Sequence, residues 1–113
     1  MKRNQSSLTA EGIAIVRAIE SQRPEGERVC YDPYARQLVS PFLFSMVNFF
    51  EKLGYGERKG PGVLGFIAAR ERHIDAFLET MLAEGIGQLV ILGAGLDARA
   101  YRYDQLKSGM KTF

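Results

Sequence analysis

The sequence predicts an α/β fold that is mostly helical, and three observations lead to this prediction. Apolar residues recur at helical spacing through much of the segment before Gly85. A short apolar run over 88–92 then has the length and composition of a strand in a parallel sheet, buried on both faces. This run leads directly into Gly93-Ala94-Gly95, a turn typical of the carboxyl end of such a strand.

Local signals predict the first two helices. Apolar spacing predicts a helix over about 10–21, with Thr9 as its cap. Asp32 followed by Pro33 is a helix-start signal, because Asp caps the free amides and Pro needs none of them. A second, short helix is therefore expected to run from this signal to about Val39.

The middle of the chain predicts two further helices joined by a loop. Ser40-Pro41 repeats the start signal, and the very apolar segment 42–53 that follows is expected to form a buried helix. Four glycines, a proline and several charges over 54–62 predict a loop. Apolar residues every three to four positions predict a long amphipathic helix over 63–84, ended by Gly85.

The last part of the chain predicts the beginning of a sheet. After the strand over 88–92 we expect a short helix over about 99–106 and a second strand from Lys111. The domain division is therefore a helical cap with a lead-in helix over 1–86, and the start of a ligand-binding domain over 87–113. A doubly wound domain has about five or more strands, so we expect either that the chain is truncated or that a partner supplies the missing sheet.

Composition excludes several classes of function. The net charge of +2 gives no reason to expect a nucleic-acid partner. Cys30 is the one cysteine, which excludes an internal disulfide, and with His73 as the one histidine a zinc site is not expected either. The N-terminus lacks the apolar stretch of a signal peptide, and no run is long enough for a membrane span. These features predict a cytoplasmic protein without a metal.

The glycine turn is the one segment that indicates chemistry. Glycines are expected there because a side chain would block the approach of a ligand to the backbone. With Ala98 in the third position, the turn also meets the dinucleotide pattern. Asp97, however, lies where a pyrophosphate would contact the helix start, and its charge would repel phosphate. The charge favours a ligand with an amine and a sulfonium, such as S-adenosylmethionine, over NAD.

The segment Leu92–Arg102 closely resembles the first motif of the leucine carboxyl methyltransferase family, and most closely its bacterial group of S-adenosylmethionine-dependent methyltransferases. Thr9-Ala10-Glu11, Asp32-Pro33-Tyr34-Ala35 and Ala69-Arg70 also occur in the order of that family and at roughly its spacing. The resemblance covers nearly the whole chain. It implies the N-terminal part of a Rossmann-like class I methyltransferase fold.

The resemblance also implies a cofactor site for S-adenosyl-L-methionine. Arg70 matches a family arginine that pairs with the carboxylate of the cofactor, and Arg17 falls near the position of another basic residue. Gly93, Ala94 and Gly95 would border the cofactor, with Asp97 close to its methionine part. The implied reaction is direct methyl transfer, to a carboxyl or hydroxyl oxygen of an unidentified acceptor. No residue is identified as catalytic, and a homo-oligomer is possible.

Three alternatives stay open at this point. The chain is a fragment of a methyltransferase and inactive alone, because the acid that binds the ribose is expected just after Phe113. Alternatively, it is a short natural product that binds a cofactor or partner without catalysis, with an oligomer completing the sheet. The third alternative is a nucleotide- or dinucleotide-binding protein of another class.

Overall fold

The structure, a computed structural model, describes residues 8–108 and 110–113. Seven helices and two short strands form within these residues. In chain order they are α1 (Leu8–Ser21), α2 (Ala35–Leu38), α3 (Pro41–Lys52), α4 (Tyr55–Lys59), α5 (Val63–Ala83), β1 (Gln88–Leu89), α6 (Arg99–Arg102), α7 (Asp104–Lys107) and β2 (Lys111–Thr112). The mostly helical character and the position of the strands agree with the sequence prediction.

Helix α1 lies at the centre of the apolar core. One of its faces packs on α2 and α3 through a cluster of buried side chains: Ala14, Ile15, Ala18, Ala35, Val39 and Phe44. Another face packs on α5 through a smaller cluster: Val16, Cys30 and Ala68. Consecutive residues over 14–18 are all buried, because neighbours contact α1 from two sides. The core thereby ties the first helix to the helix that precedes the sheet.

Two predicted helix starts are wrong, and one short helix was not predicted. Helix α1 begins at Leu8, so Thr9 lies inside its first turn and is not the cap. Helix α2 begins at Ala35, because Asp32 Oδ1 accepts the Tyr34 amide at 3.0 Å and forms a turn before the helix. The segment predicted as a loop over 54–62 contains the short helix α4.

The prediction that α3 is buried is also wrong. Phe44 is the one residue of this helix that is buried, whereas Phe42 is 77% exposed and Phe49 is 59% exposed. Helix α3 packs on α1 along one face and also contacts α4, where the ring centroids of Phe50 and Tyr55 lie 5.6 Å apart, but Phe42, Phe49 and Phe50 all stay exposed. Apolar composition predicted the helix correctly but not the partner that burial requires.

The two strands pair in parallel, as predicted, with Gln88 opposite Lys111 and Leu89 opposite Thr112. Their backbone bonding continues beyond these pairs, since the Ile91 amide donates to the Phe113 carbonyl at 2.6 Å. The prediction that β1 and its continuation are buried on both faces is wrong. Leu92 is 90% exposed, because the described residues form only two strands and no layer covers this one.

The predicted helix over 99–106 is divided in two at Tyr103, whose backbone is extended (φ −98°, ψ 119°). The division between 1–86 and 87–113 stays a prediction. None of the helices in the described part of the chain combines the length and apolarity that crossing a bilayer requires.

Candidate functional site

The glycine turn follows β1 and has the backbone conformation that glycine allows. Gly93 has φ +61° and Gly95 has φ +54°, both in the left-handed region. The Asp97 amide donates to the Ala94 carbonyl at 2.9 Å and closes the turn. A Cβ atom at Gly95 would stand 3.1 Å from the Ala10 Cβ of α1. The turn therefore needs glycine at Gly95 both for its conformation and for its close approach to α1.

A cleft of about 180 Å³ opens between this turn, α1 and α5. All six residues predicted to bind the cofactor line it: Arg17, Arg70, Gly93, Ala94, Gly95 and Asp97. Its other lining residues are Ala10, Ile13, Glu71, Ile74, Leu96 and Arg99. The fold thus brings together residues from three separate segments of the chain. Their individual roles in binding stay predictions.

Arg70 is the accessible cation of the cleft. Its side chain is 46% exposed, and in the described part of the chain its ionic contact is with Glu71 Oε1, at 3.5 Å. A guanidinium with such loose pairing keeps donors free for a carboxylate from a ligand. The position of Arg70 at the rim of the cleft is compatible with its predicted role.

Arg17 differs from Arg70, because its charge is already compensated inside the protein. The side chain is 6% exposed; its Nε lies 3.2 Å from Asp32 Oδ2, and its Nη1 lies 3.7 Å from Glu71 Oε2. Its Nη2 donates to the carbonyl of Leu96, next to the glycine turn. Arg17 therefore supports the wall of the cleft, and its predicted contact with the ligand stays a prediction.

Asp97 is also paired, which changes the charge argument made from the sequence. One oxygen accepts the Arg99 amide at 2.8 Å, and the other accepts Arg99 Nη1 at 2.5 Å. The positive guanidinium compensates the carboxylate, so repulsion of phosphate by Asp97 is weaker than the sequence alone indicates. The charge of Asp97 alone therefore does not distinguish S-adenosylmethionine from NAD as the ligand.

The buried ionic network beneath the cleft was not predicted from the sequence. Arg99 is 6% exposed and bonds three carboxylates, those of Asp97, Asp75 and Glu71. Burial lowers the pKa of Arg99, but these carboxylates raise it, and the net effect is a pKa above the ordinary value of arginine. A signal was present, since Glu71 and Asp75 are four residues apart on one helix face, but their arginine partners lie far along the chain.

A second, larger cleft of about 430 Å³ lies between α5, α6 and the segment before α2. Its lining residues include Cys30, Asp75 and Tyr103. Burial, with nearby carboxylates, raises the pKa of Cys30 to about 11, so its thiol is protonated at neutral pH. Burial and Asp75 raise the pKa of Tyr103 to about 12. A buried, protonated thiol makes Cys30 a packing residue of the core.

Within residues 8–108 and 110–113, no group of three or more His, Cys, Asp and Glu side chains is arranged to hold a metal ion. The carboxylates that come close together are interleaved with arginines, as in Arg99 between Glu71 and Asp75. The guanidinium of arginine has no free electron pair for a metal, and its positive charge lies where a cation would otherwise lie.

The chain is similar to a known protein family and to several bacterial proteins. Residues 10–113 match the leucine carboxyl methyltransferase family. The chain is 39% identical over 101 residues to a protein of Rhodococcus jostii whose provisional name is S-adenosyl-L-methionine-dependent methyltransferase; the match covers 86% of this chain and 32% of that protein.

Relatives with the same provisional name occur in mycobacteria. A Mycobacterium tuberculosis protein is 37% identical over 105 residues, covering 83% of this chain and 33% of the relative. A Mycobacterium avium protein is 40% identical over 107 residues, covering 85% of this chain and 33% of the relative. The chain spans about a third of the length of the curated relatives it matches. Because the family match extends from Ala10 to the last residue, this chain belongs to the leucine carboxyl methyltransferase family.

Proposed function

We propose that this chain contributes the first part of an S-adenosyl-L-methionine site in a methyltransferase with a Rossmann-like domain. The observation that carries the proposal is the cleft in which Arg70 of α5 and the glycine turn after β1 face each other. The two segments are distant in the sequence, and both match the motifs of the family. The provisional names of the relatives support the same cofactor.

The residues of the cleft fit the chemistry of this cofactor. Arg70 offers a guanidinium fork to a carboxylate, and the turn at Gly93 and Gly95 offers bare backbone to a closely approaching ligand. Arg17 and Arg99 are paired with carboxylates of the protein behind the wall, so the accessible charge of the cleft is that of Arg70. The cleft is therefore suited to a ligand with a carboxylate, as in an α-amino acid group.

When bound, the cofactor supplies an electrophilic methyl group on a sulfonium. The residues of this chain bind and orient it, and direct displacement needs no covalent nucleophile from the protein. The acceptor is proposed to be a carboxyl or hydroxyl oxygen of a molecule still to be identified. Enzymes of this kind gain rate mainly by alignment of the reacting atoms and by exclusion of water.

The test is isothermal titration of the 113-residue chain with S-adenosyl-L-homocysteine, the stable product form of the cofactor. We expect Arg70→Ala to weaken binding at least tenfold, on the order of a lost charge-assisted hydrogen bond. Arg58→Ala is the matched control, because Arg58 is an exposed arginine of α4 outside the cleft, and it should leave the affinity unchanged.

A parallel titration with NAD separates the alternatives. Binding of NAD in place of S-adenosyl-L-homocysteine would overturn the proposal in favour of a dinucleotide site. Equal affinity of the Arg70→Ala and Arg58→Ala variants would remove Arg70 from the site.

A further inference from the structure

Arg99 occupies an unusual position beneath the proposed cofactor site. Each of its three guanidinium nitrogens contacts a different carboxylate. Nε lies 2.8 Å from Asp75 Oδ1, Nη2 lies 2.8 Å from Glu71 Oε2, and Nη1 lies 2.5 Å from Asp97 Oδ2. Two of these carboxylates belong to α5, and the third belongs to the segment that follows the glycine turn. One side chain therefore joins the two halves of the cleft.

The segment that directly follows the glycine turn is anchored by two arginines. The Leu96 carbonyl accepts a hydrogen bond from Arg17 of α1. The next residue, Asp97, bonds both the amide and the guanidinium of Arg99. Because Gly93 and Gly95 are themselves conformationally free, these anchors limit where the turn lies. Loss of the Arg99 anchor would leave this segment linked to α5 only through the longer contact of Arg17, whose Nη1 lies 3.7 Å from Glu71.

The same contacts orient α5. Glu71 and Asp75 are separated by one helical turn and point toward Arg99 together. Arg70 is the neighbour of Glu71 and is turned about 100° around the helix axis from it. When Arg99 holds Glu71, Arg70 is directed to the open cleft. The distance between Arg70 and the glycine turn thus depends on the short Arg99 contacts, with Arg17 as a second, longer link between Leu96 and Glu71.

We infer that Arg99 is a positioning residue that holds the glycine turn and Arg70 at the separation required by one ligand spanning both. This inference rests on the proposed function for the identity of the ligand. Arg99 acts through Arg70 and the turn and has no direct part in the reaction. Its effect on binding therefore depends on the presence of Arg70.

The experiment is a double-mutant cycle on the 113-residue chain, with S-adenosyl-L-homocysteine affinity measured by titration. Arg99→Lys keeps the charge but places all its donors on one nitrogen, which cannot reach the three carboxylate positions that the separate nitrogens of the guanidinium contact. We expect it to weaken binding at least tenfold in the otherwise unchanged chain and less than threefold in the Arg70→Ala background. Equal losses in the two backgrounds would overturn the inference, because a general structural defect does not depend on Arg70.

Arg102→Lys is the matched control. Arg102 also bonds Asp75, at 2.7 Å, but it does not line the cleft and does not contact the glycine turn. We expect its affinity to change less than twofold. If Arg99→Lys fails to fold by circular dichroism, Asp75→Asn replaces it in the cycle. That variant weakens one Arg99 contact outside the cleft, and the same dependence on Arg70 is expected.

A second measurement separates failure of the inference from failure of the proposed function. Hydrogen exchange of the amides over 93–98 in the ligand-free chain reports the anchoring of the turn directly. Faster exchange in Arg99→Lys than in Arg102→Lys supports the positioning role even if the unchanged chain binds no S-adenosyl-L-homocysteine, a result that would remove only the proposed ligand. Equal exchange in the two variants overturns the inference.

Discussion

The interior beneath the cleft and the surface of α3 show opposite patterns of burial. Beneath the cleft, Arg17 and Arg99 are 5% and 6% exposed. On α3, Phe42 is 77% exposed, although phenylalanine is far more apolar than arginine. Burial in this chain therefore depends on the available partners more than on the apolarity of the side chain. Each buried arginine has carboxylates within bonding distance. The exposed rings of α3 have much less contact with the rest of the described chain, since even Phe50, which packs on Tyr55 of α4, is 44% exposed.

The ionic network around the cleft contains equal numbers of positive and negative side chains. Four arginines and four carboxylates are linked by contacts of 4.0 Å or less: Arg17, Arg70, Arg99 and Arg102 with Asp32, Glu71, Asp75 and Asp97. A buried charge is costly unless it is paired, so removal of a single member disturbs several others. The apolar surface has no such dependence. The two regions should therefore respond very differently to single substitutions.

The largest effect is expected from Glu71→Ala. Glu71 is 4% exposed and contacts both Arg99 and Arg17, which would lose a shared carboxylate. Breaking a buried pair in this way destabilises proteins by about 3–5 kcal/mol. Urea unfolding measures the change, with Glu84→Ala at the exposed end of the same helix as control. A loss below about 1 kcal/mol for Glu71→Ala would contradict the view that the network stabilises the fold.

Two phenylalanines on α3 allow a buried and an exposed ring to be compared within one helix. Phe44 is 5% exposed, and Arg36 lies 4.2 Å above its ring, so Phe44→Ala leaves a cavity and should cost about 3 kcal/mol. Phe42→Ala, two positions away, should change the free energy of unfolding by less than about 0.5 kcal/mol. Urea unfolding of both variants is the measurement. A large loss for Phe42→Ala would mean that this surface is covered in solution.

A pair of glycines should give smaller effects than Glu71→Ala and Phe44→Ala. Gly95→Ala must adopt φ near +54° and place its Cβ about 3.1 Å from Ala10, which should cost about 1–2 kcal/mol. Gly12→Ala lies in α1 with open space around it and should stabilise the chain by about 0.5–1 kcal/mol. Thermal melting of the two variants should move in opposite directions. Shifts of the same sign would refute the conformational argument for Gly95.

Local signals in the sequence were sufficient to predict most of the helices and the pairing of the two strands. Apolar periodicity predicted α5 to within one residue of its observed end, and the glycine-bounded run predicted β1 and its parallel pairing. Burial was not predictable in the same way. Phe49 and Leu92 are apolar by composition but exposed, because burial depends on tertiary partners that periodicity does not contain.

The residues that line the candidate site could be predicted from the sequence, but the ionic contacts that hold them in place could not. Resemblance to a family identified Arg70 and the glycine turn, and the fold brings them to one cleft. Arg99 was missed because an isolated arginine in a sequence is normally read as a surface residue. Its partners Glu71 and Asp75 lie 28 and 24 residues earlier in the chain, so no local pattern links them.

The hydrogen bond between Arg17 and Leu96 joins residues 79 positions apart, which has a consequence for biosynthesis. At about 5–20 residues per second, the ribosome needs roughly 4–16 s to make the intervening chain. During that interval α1 has no Leu96 carbonyl to accept the Arg17 hydrogen bond. The contact between α1 and the segment after the glycine turn, and with it the cleft, can therefore form only after these 79 residues have been added.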